Sequence, residues 1–154
     1  MMTGYHGRPE QTHEAEWFDA EGQRYIRTGD VGRFDEDGFL VLMDRRKDMV
    51  ISGGFNIYPK DLEAVLREHP DVEDAAVFGV PSARWGETPV ACVVLRAGRA
   101  VDLAVLRTWA NERLGRTQRL AAVQALDELP RSAIGKVLKR ELRERFVASG
   151  IKVD

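Results

Sequence analysis

The segment Val90-Ala91-Cys92-Val93-Val94-Leu95 has no polar side chain, and the segment from Val72 to Val80 is also mainly apolar. A strand with one face in water alternates apolar and polar residues, whereas a strand covered on both faces is apolar throughout. We therefore predict that these two segments are strands of a small sheet, and that the flanking sequence supplies the helices that cover it.

Helical patterns lie on both sides of these strands. Pro59 suits the first turn of one helix, and Asp102 is a favourable N-cap for a second. Leu138, Leu142 and Phe146 recur at the spacing of one face of a closing helix. A further short strand is expected between residues 120 and 126. Helices packed on a small mixed sheet form an α+β fold.

The N-terminal portion has a different character. Residues 1–24 are polar and weakly periodic, so we expect irregular structure there, with one helical turn at Pro9 to Glu14. Two apolar stretches, Val31 to Phe34 and Phe39 to Met43, are separated by the turn-forming segment Asp35-Glu36-Asp37-Gly38, which predicts a hairpin.

A charged run, Asp44-Arg45-Arg46-Lys47-Asp48, follows the predicted hairpin, and paired glycines come soon after it. Such a run between apolar strands is a natural domain boundary. We therefore predict a short β-rich segment over residues 1–46 and a second domain over residues 47–154.

Composition excludes several classes of function. Apolar residues make up 44% and charged residues 31% of the 154 residues, and the formal charge is −2, so no basic field favours nucleic acid. The single cysteine, Cys92, rules out an internal disulfide and a cysteine-based zinc site. No apolar run reaches the roughly 18 residues of a membrane span, and no secretory h-region is evident near the N-terminus. We expect a cytoplasmic protein.

Familiar catalytic motifs are not found in the sequence. Gly135-Lys136 is not a phosphate-binding loop, because Pro130 stands where the upstream glycine is needed and Val137 replaces Ser or Thr. The three histidines have no metal-binding spacing, so we predict no metal-binding residues. No Gly-x-Ser-x-Gly segment is present for a serine nucleophile.

Four polar segments remain as candidates, and each has a plain structural alternative. Asp30, after Thr28-Gly29, could accept hydrogen bonds from sugar hydroxyls or could cap a turn. The cations of Arg45 to Lys47 could bind phosphate or form a solvated cluster. The glycines of Ser52-Gly53-Gly54 could let a thin ligand approach the backbone or form an ordinary loop. Lys136, beside a glycine that leaves it mobile, could bring a positive charge to a phosphoryl oxygen or be a surface lysine.

In their order along the chain, these segments resemble the adenylate-forming superfamily, which includes acyl-CoA synthetases, luciferases and the adenylation domains of peptide synthetases. The similarity extends over nearly the whole chain, from about Met2 to Phe146. The motifs that carry it are Tyr25-Ile26-Arg27-Thr28-Gly29-Asp30, Asp44-Arg45-Arg46-Lys47-Asp48, Ser52-Gly53-Gly54-Phe55-Asn56-Ile57-Tyr58-Pro59, Trp85-Gly86-Glu87 and Pro130-Arg131-Ser132-Ala133-Ile134-Gly135-Lys136.

The resemblance implies an AMP-forming ligase that activates a fatty or aromatic carboxylic acid with ATP and Mg²⁺ and transfers the acyl group to coenzyme A. It implies that Asp30 binds the AMP ribose and that Arg45 is a second nucleotide contact. Lys47 would be the hinge of a rotating C-terminal lid, and Lys136 the catalytic lysine of adenylation. Gly53 and Gly54 would line the channel for the pantetheine chain of coenzyme A.

The resemblance also implies what lies outside the sequence. Residues 1–46 would be the end of a large N-terminal adenylation domain, which would be the partner of the lid, so we expect this chain to be a fragment that is inactive alone. The segment Arg116-Thr117-Gln118-Arg119-Leu120 departs from the family pattern, which leaves a CoA or nucleotide contact there in doubt. A lysine acetyltransferase acting on Lys136 is a further expected partner, because related synthetases are controlled at the matching lysine.

Two alternatives remain open from the sequence. One is an adenylation domain whose acceptor is a carrier protein. The other is a non-catalytic interaction module, although such a module would not need Asp30, Lys47 and Lys136 together.

Overall fold

The computed structural model describes residues 3–153. The chain divides into two compact units, Met1–Arg46 and Lys47–Asp154, which we call the N-terminal unit and the C-terminal unit. The role of each unit within an enzyme stays a prediction. Among the described residues, no helix is long and apolar enough to cross a lipid bilayer.

The N-terminal unit is a helix followed by two separate two-stranded antiparallel sheets. The first sheet pairs β1 with β2, and the second pairs β3 with β4. The elements are α1 (Pro9–Ala15), β1 (Glu16–Phe18), β2 (Arg24–Ile26), β3 (Asp30–Phe34) and β4 (Leu40–Arg45). The predicted hairpin is therefore confirmed, whereas β1 forms in a stretch for which we expected irregular structure.

Apolar side chains of the N-terminal unit are not buried within it. Among residues 3–46, only Asp44 is buried. Phe34 and Phe39, which flank the β3–β4 turn, are 73% and 71% exposed, and Leu40 and Leu42 are each 59% exposed. Two-stranded hairpins without a buried face are marginally stable in water. Residues 3–46 therefore form no apolar core of their own.

The C-terminal unit is a five-stranded mixed sheet with helices on both faces. Strand β8 pairs antiparallel with β5 and β7 and parallel with β9, while β6 pairs with β5 at the edge. The elements are β5 (Val50–Ser52), β6 (Phe55–Ile57), α2 (Pro59–Arg67), β7 (Val72–Ser82), β8 (Gly86–Leu95), α3 (Leu103–Arg113), β9 (Ala122–Ala125) and α4 (Lys139–Ala148). The α+β fold is confirmed.

Both faces of the sheet are apolar because each has its own core. On one face Val77 and Val93 pack with Leu62 of α2 and Leu106 of α3. On the other face Phe78, Val90 and Cys92 pack with Leu142 and Phe146 of α4. The side chains of β7 and β8 alternate between the two cores, as the strand geometry requires. This double coverage explains the apolar sequences of the two strands.

Of two predictions made from local sequence signals, one was confirmed and the other was wrong in part. Asp102 caps α3 as predicted, and its carboxylate accepts hydrogen bonds from the backbone N–H groups of Ala104 and Val105, at 2.7 and 3.4 Å. The prediction for Leu138 was wrong in part: it is the residue before α4 and 39% exposed, while Leu142 and Phe146 are buried as expected.

Candidate functional site

Asp30 and Arg45, the two predicted nucleotide contacts, lie opposite each other in the β3–β4 sheet. They are a pair in its antiparallel register, and Arg45 Nε lies 3.6 Å from Asp30 Oδ1. Their side chains are 46% exposed for Arg45 and 33% for Asp30, so both can still reach a ligand. The backbone N–H of Asp30 donates to the Thr28 hydroxyl at 3.2 Å, which orders the turn before the strand. A carboxylate beside a guanidinium fits a ribose hydroxyl and a phosphate, respectively.

Lys47, the predicted hinge, lies in the turn between β4 and β5 and is exposed. It is the first residue of the C-terminal unit. A hinge needs a few loop positions that can absorb backbone rotation, and an exposed turn between two compact units meets that need.

Gly53 and Gly54 form the two-residue turn between β5 and β6. Their φ angles are +55° and +83°, which is the left-handed conformation that a type I′ hairpin turn requires. The segment for which the sequence left an ordinary loop as the structural alternative is therefore a defined turn. Three exposed apolar side chains lie near this turn. Ile51 is in β5 and Phe55 is in β6, the two strands that the turn connects, and Trp85 directly precedes β8, which pairs with β5.

Trp85 holds the glycine turn in place. The backbone N–H of Gly53 donates to the Trp85 carbonyl at 2.9 Å, and a Cβ atom on Gly53 would lie 2.9 Å from Trp85 Cε3. A Cβ atom on Gly54 would contact nothing within 4 Å. Position 53 thus needs glycine both for its positive φ and because the Trp85 indole leaves no room for a Cβ atom, while Gly54 faces open space that a thin ligand could enter.

Lys136 lies directly after a tight three-residue hairpin turn. The backbone N–H of Gly135 donates to the Ser132 carbonyl and that of Ser132 donates to the Lys136 carbonyl, both at 2.8 Å. Gly135 has a φ of +78°, which completes the turn in the manner of a three-residue hairpin loop with a bulge. Lys136 is exposed, as is its neighbour Ile134 at 77%. Within residues 3–153 the Lys136 ammonium has no ion-pair partner.

Apart from Lys47, the predicted residues therefore form three groups. Asp30 and Arg45 are together in the N-terminal unit, whereas Gly53–Gly54 and Lys136 are on separate hairpins of the C-terminal unit. The structure describes no group of three or more His, Cys, Asp or Glu residues within residues 3–153 that could hold a metal ion.

Sequence reasoning missed two carboxylates that contact the residues around Lys136. Glu63 is buried on α2 and Asp74 lies on β7. A signal for Glu63 was available, because it occupies a position of the buried helical stripe that includes Pro59, Leu62 and Leu66. Asp74 had a weaker signal as one of two acidic residues, with Glu73, near the start of a mainly apolar strand.

The C-terminal unit is a small mixed sheet with helices on both faces and an exposed lysine on a tight hairpin. Comparisons with known proteins identify the class of domain that has this arrangement. Residues 61–136 match the family described as the AMP-binding enzyme C-terminal domain. Residues 61–136 therefore belong to the C-terminal domains of AMP-binding enzymes, which confirms the resemblance found in the motifs of the chain.

Three relatives illustrate the similarity. The 2-succinylbenzoate–CoA ligase of Geobacillus kaustophilus is 48% identical over 146 residues, which are 93% of this chain and 28% of the relative. The long-chain-fatty-acid–CoA ligase of Bacillus subtilis is 41% identical over 144 residues, 94% of this chain and 25% of the relative. The ATP-bound crystal structure of MatB from Rhodopseudomonas palustris superposes with a TM-score of 0.82 at 39% identity, covering 94% of this chain and 28% of MatB.

These coverages are strongly unequal. The chain spans 28% of the length of the Geobacillus relative and 25% of the Bacillus one. The similarity therefore concerns one part of enzymes that are three to four times as long as this chain. It does not by itself assign the activity of those enzymes to this chain.

Proposed function

We propose that this chain supplies the lid and the last β-strands of an AMP-forming acyl-CoA synthetase. In the first half-reaction an oxygen of the acid attacks the α-phosphorus of ATP, which gives an acyl-adenylate and releases pyrophosphate. In the second, the thiol of coenzyme A attacks the acyl carbon, the bond to AMP breaks, and the thiol proton is released. The observation that carries the proposal is Lys136, exposed and without an ion-pair partner in the described chain, on the hairpin next to α4.

Lys136 suits the adenylation step for an electrostatic reason. Negative charge builds up on the α-phosphoryl oxygens as the carboxylate attacks, and an ammonium at that point stabilises the transition state more than the ground state. Because no carboxylate of the described chain neutralises Lys136, its charge is available to the substrates. Mg²⁺, which would enter with the ATP phosphates, would neutralise further charge there.

Asp30 and Arg45 are proposed to hold the nucleotide. The Asp30 carboxylate would accept hydrogen bonds from the ribose hydroxyls, and the Arg45 guanidinium, 3.6 Å from that carboxylate, would contact the nucleotide itself. Their position in one sheet register means that a ligand held by one is within reach of the other.

The glycine turn is proposed to serve the second half-reaction. Gly54 leaves open space beside it, and the exposed apolar side chains of Ile51, Phe55 and Trp85 offer a surface for the apolar part of a pantetheine chain. Lys47 would be the hinge that exchanges the Lys136 hairpin for the glycine turn at the acyl group. A Lys47→Pro substitution, which fixes φ near −65°, should then preserve one half-reaction at the expense of the other.

The exposed apolar strands of the N-terminal unit support the remaining part of the proposal. Phe34, Phe39, Leu40 and Leu42 are each more than half exposed and need a covering surface. We propose that an N-terminal adenylation domain covers them and supplies the acid pocket, since relatives with similar lids are named for acids as different as 2-succinylbenzoate and long-chain fatty acids.

Lys136 would also be a point of control. Acetylation of its exposed ammonium removes the positive charge on which adenylation depends. A lysine acetyltransferase is therefore a proposed partner. The idea would be abandoned if an enzyme carrying acetyl-lysine at position 136 formed the acyl-adenylate at the unmodified rate.

The experiment that tests the proposed function measures AMP and pyrophosphate release. This chain is assayed alone and as a chimaera in which it replaces the matching 146 residues of the 2-succinylbenzoate–CoA ligase. We expect no release by the chain alone, and release by the chimaera with ATP, CoA and 2-succinylbenzoate. A folded chimaera that binds ATP but releases neither product would contradict the proposal.

A further inference from the structure

The hairpin that carries Lys136 is tied to β7 by a single arginine. Arg131 donates from one guanidinium nitrogen to Asp74 Oδ2 at 2.5 Å and from another to the Gly135 carbonyl at 2.7 Å. Its backbone also pairs with Val137 across the hairpin. Asp74 on the sheet is thus joined through one side chain to the residue that precedes Lys136.

The other end of the hairpin is tied to α2. Lys139, the first residue of α4, places its ammonium 2.8 Å from Glu63 Oε1. The same Glu63 oxygen accepts the backbone N–H of Val77 at 2.9 Å, and the Glu63 side chain is only 9% exposed. A buried carboxylate held by a strand N–H is a fixed point, so Lys139 has little freedom.

The two attachments are joined to each other by Arg67. Its guanidinium lies 3.2 Å from Asp74 Oδ1, 3.7 Å from Glu63 Oε2 and 2.9 Å from the Ala75 carbonyl. Isolated surface ion pairs contribute little, but a connected row that includes a buried carboxylate and a doubly bound arginine holds geometry better. Cations and carboxylates alternate along this row, which runs Arg131, Asp74, Arg67, Glu63, Lys139.

We propose that Asp74 and Glu63 are positioning residues for Lys136: they act through Arg131 and Lys139 to hold the hairpin on which Lys136 is carried. The inference rests on the proposed function, in which Lys136 must meet the α-phosphate. A lysine ammonium lies at the end of a flexible side chain, so its position relative to the α-phosphate depends on a fixed backbone. A misplacement of about 1 Å at a reacting group can cost about 100-fold in rate.

A first test measures the hairpin itself, in the full chain and without any substrate. Amide hydrogen exchange is followed at Ser132, Gly135 and Leu138, whose N–H groups close the hairpin. Asp74→Asn should speed exchange there about tenfold or more while amides of β8 keep their protection, and Arg131→Lys should do the same. The control is Glu144→Gln, which removes an exposed ion pair with Arg140 on α4. Unchanged exchange at the hairpin in both variants would overturn the proposal.

A second test follows the effect into catalysis, in the chimaera. Asp74→Asn should slow acyl-adenylate formation about tenfold and leave thioester formation from a preformed acyl-adenylate unchanged. When Lys136→Ala is already present, Asp74→Asn should cause no further loss of acyl-adenylate formation. The effects of the two substitutions should not add, because Asp74 acts through Lys136. Equal loss in both half-reactions, or full additivity, would overturn the proposal.

The two tests separate failure of the inference from failure of the proposed function. If Lys136→Ala alone left adenylation intact, the proposed function would fall, whereas the exchange experiment, extended to Glu63→Gln, would still decide whether Asp74 and Glu63 hold the hairpin.

Discussion

Gly53 lies against the indole of Trp85, with its backbone N–H donated to the Trp85 carbonyl at 2.9 Å and no room for a Cβ atom on that side. Gly54, one residue further on, also has a positive φ, but a Cβ atom at this position would have no neighbour within 4 Å. Both glycines of this turn are therefore favoured by their backbone conformation, and Gly53 is required in addition by the Trp85 indole.

This difference predicts unequal effects of alanine. Gly54→Ala should cost about 1–2 kcal/mol, the penalty of a left-handed conformation. Gly53→Ala should cost clearly more, since a Cβ atom at 2.9 Å from Trp85 Cε3 must displace the ring or the turn. Urea unfolding of both variants measures the free energies.

The Trp85→Ala background is the control for this prediction. In it the two glycine substitutions should become nearly equal in cost, because only the backbone penalty remains. A Gly53→Ala variant as stable as Gly54→Ala in the presence of Trp85 would refute the packing argument.

The cap of α3 gives a second stability prediction. Asp102→Ala removes the carboxylate that accepts the N–H groups of Ala104 and Val105, and should lower the free energy of unfolding by about 1 kcal/mol. Asp102→Ser should recover most of this loss, because a hydroxyl can accept the same bonds. Equal stability of the alanine variant and the parent would show that the cap is unimportant.

Cys92 predicts a change of stability with pH. Burial raises the pKa of its thiol to about 11, from an ordinary value of 9.0. The folded state therefore favours the neutral thiol. Below pH 9 the thiol is mainly neutral in both the folded and the unfolded state, so its ionisation does not lower the free energy of unfolding. Above pH 9 the unfolded chain ionises first, so stability falls as pH rises toward 11.

The measurement compares the parent with Cys92→Ala in urea unfolding between pH 8 and 11. The parent should lose more stability than the variant over this window, and its thiol should resist alkylation at pH 8 until the chain unfolds. Rapid alkylation of the native protein would contradict the burial of Cys92.

The N-terminal unit should be much less stable than the C-terminal unit when this chain is alone. Within residues 3–46 no apolar side chain is buried, whereas the C-terminal unit has a core on each sheet face. We expect amides of β3 and β4 to exchange within seconds to minutes and those of β7 and β8 to be strongly protected. Similar protection in both units would contradict the view that the N-terminal unit needs a covering domain.

Much of the fold follows from local sequence signals. The apolar runs of β7 and β8 reflect coverage on both faces, and Asp102 marks the start of α3 as its chemistry requires. Strand β1 was missed because three residues carry no usable periodicity and form a strand only by pairing with β2.

The candidate site was predictable in part. Asp30 and Arg45 lie just beyond the two strands of the predicted hairpin, but their pairing depends on a register shift between Val31 and Gly32 that the hairpin pattern does not specify. The pairing of Asp74 with Arg131 joins residues 57 positions apart, and no local pattern specifies it. The sequence likewise could not distinguish a defined glycine turn from an ordinary loop, because the contact with Trp85 that fixes the turn arises only in the folded sheet.

The central claim is that Lys136 serves adenylation and not thioester formation. It is tested most directly by measuring the two half-reactions separately in the chimaera with Lys136→Ala, and with Lys152→Ala, another exposed lysine, as the matched control. The account predicts at least a 100-fold loss of acyl-adenylate formation for Lys136→Ala alone, with thioester formation from a preformed acyl-adenylate unchanged. Adenylation by Lys136→Ala at the rate of the control would contradict it.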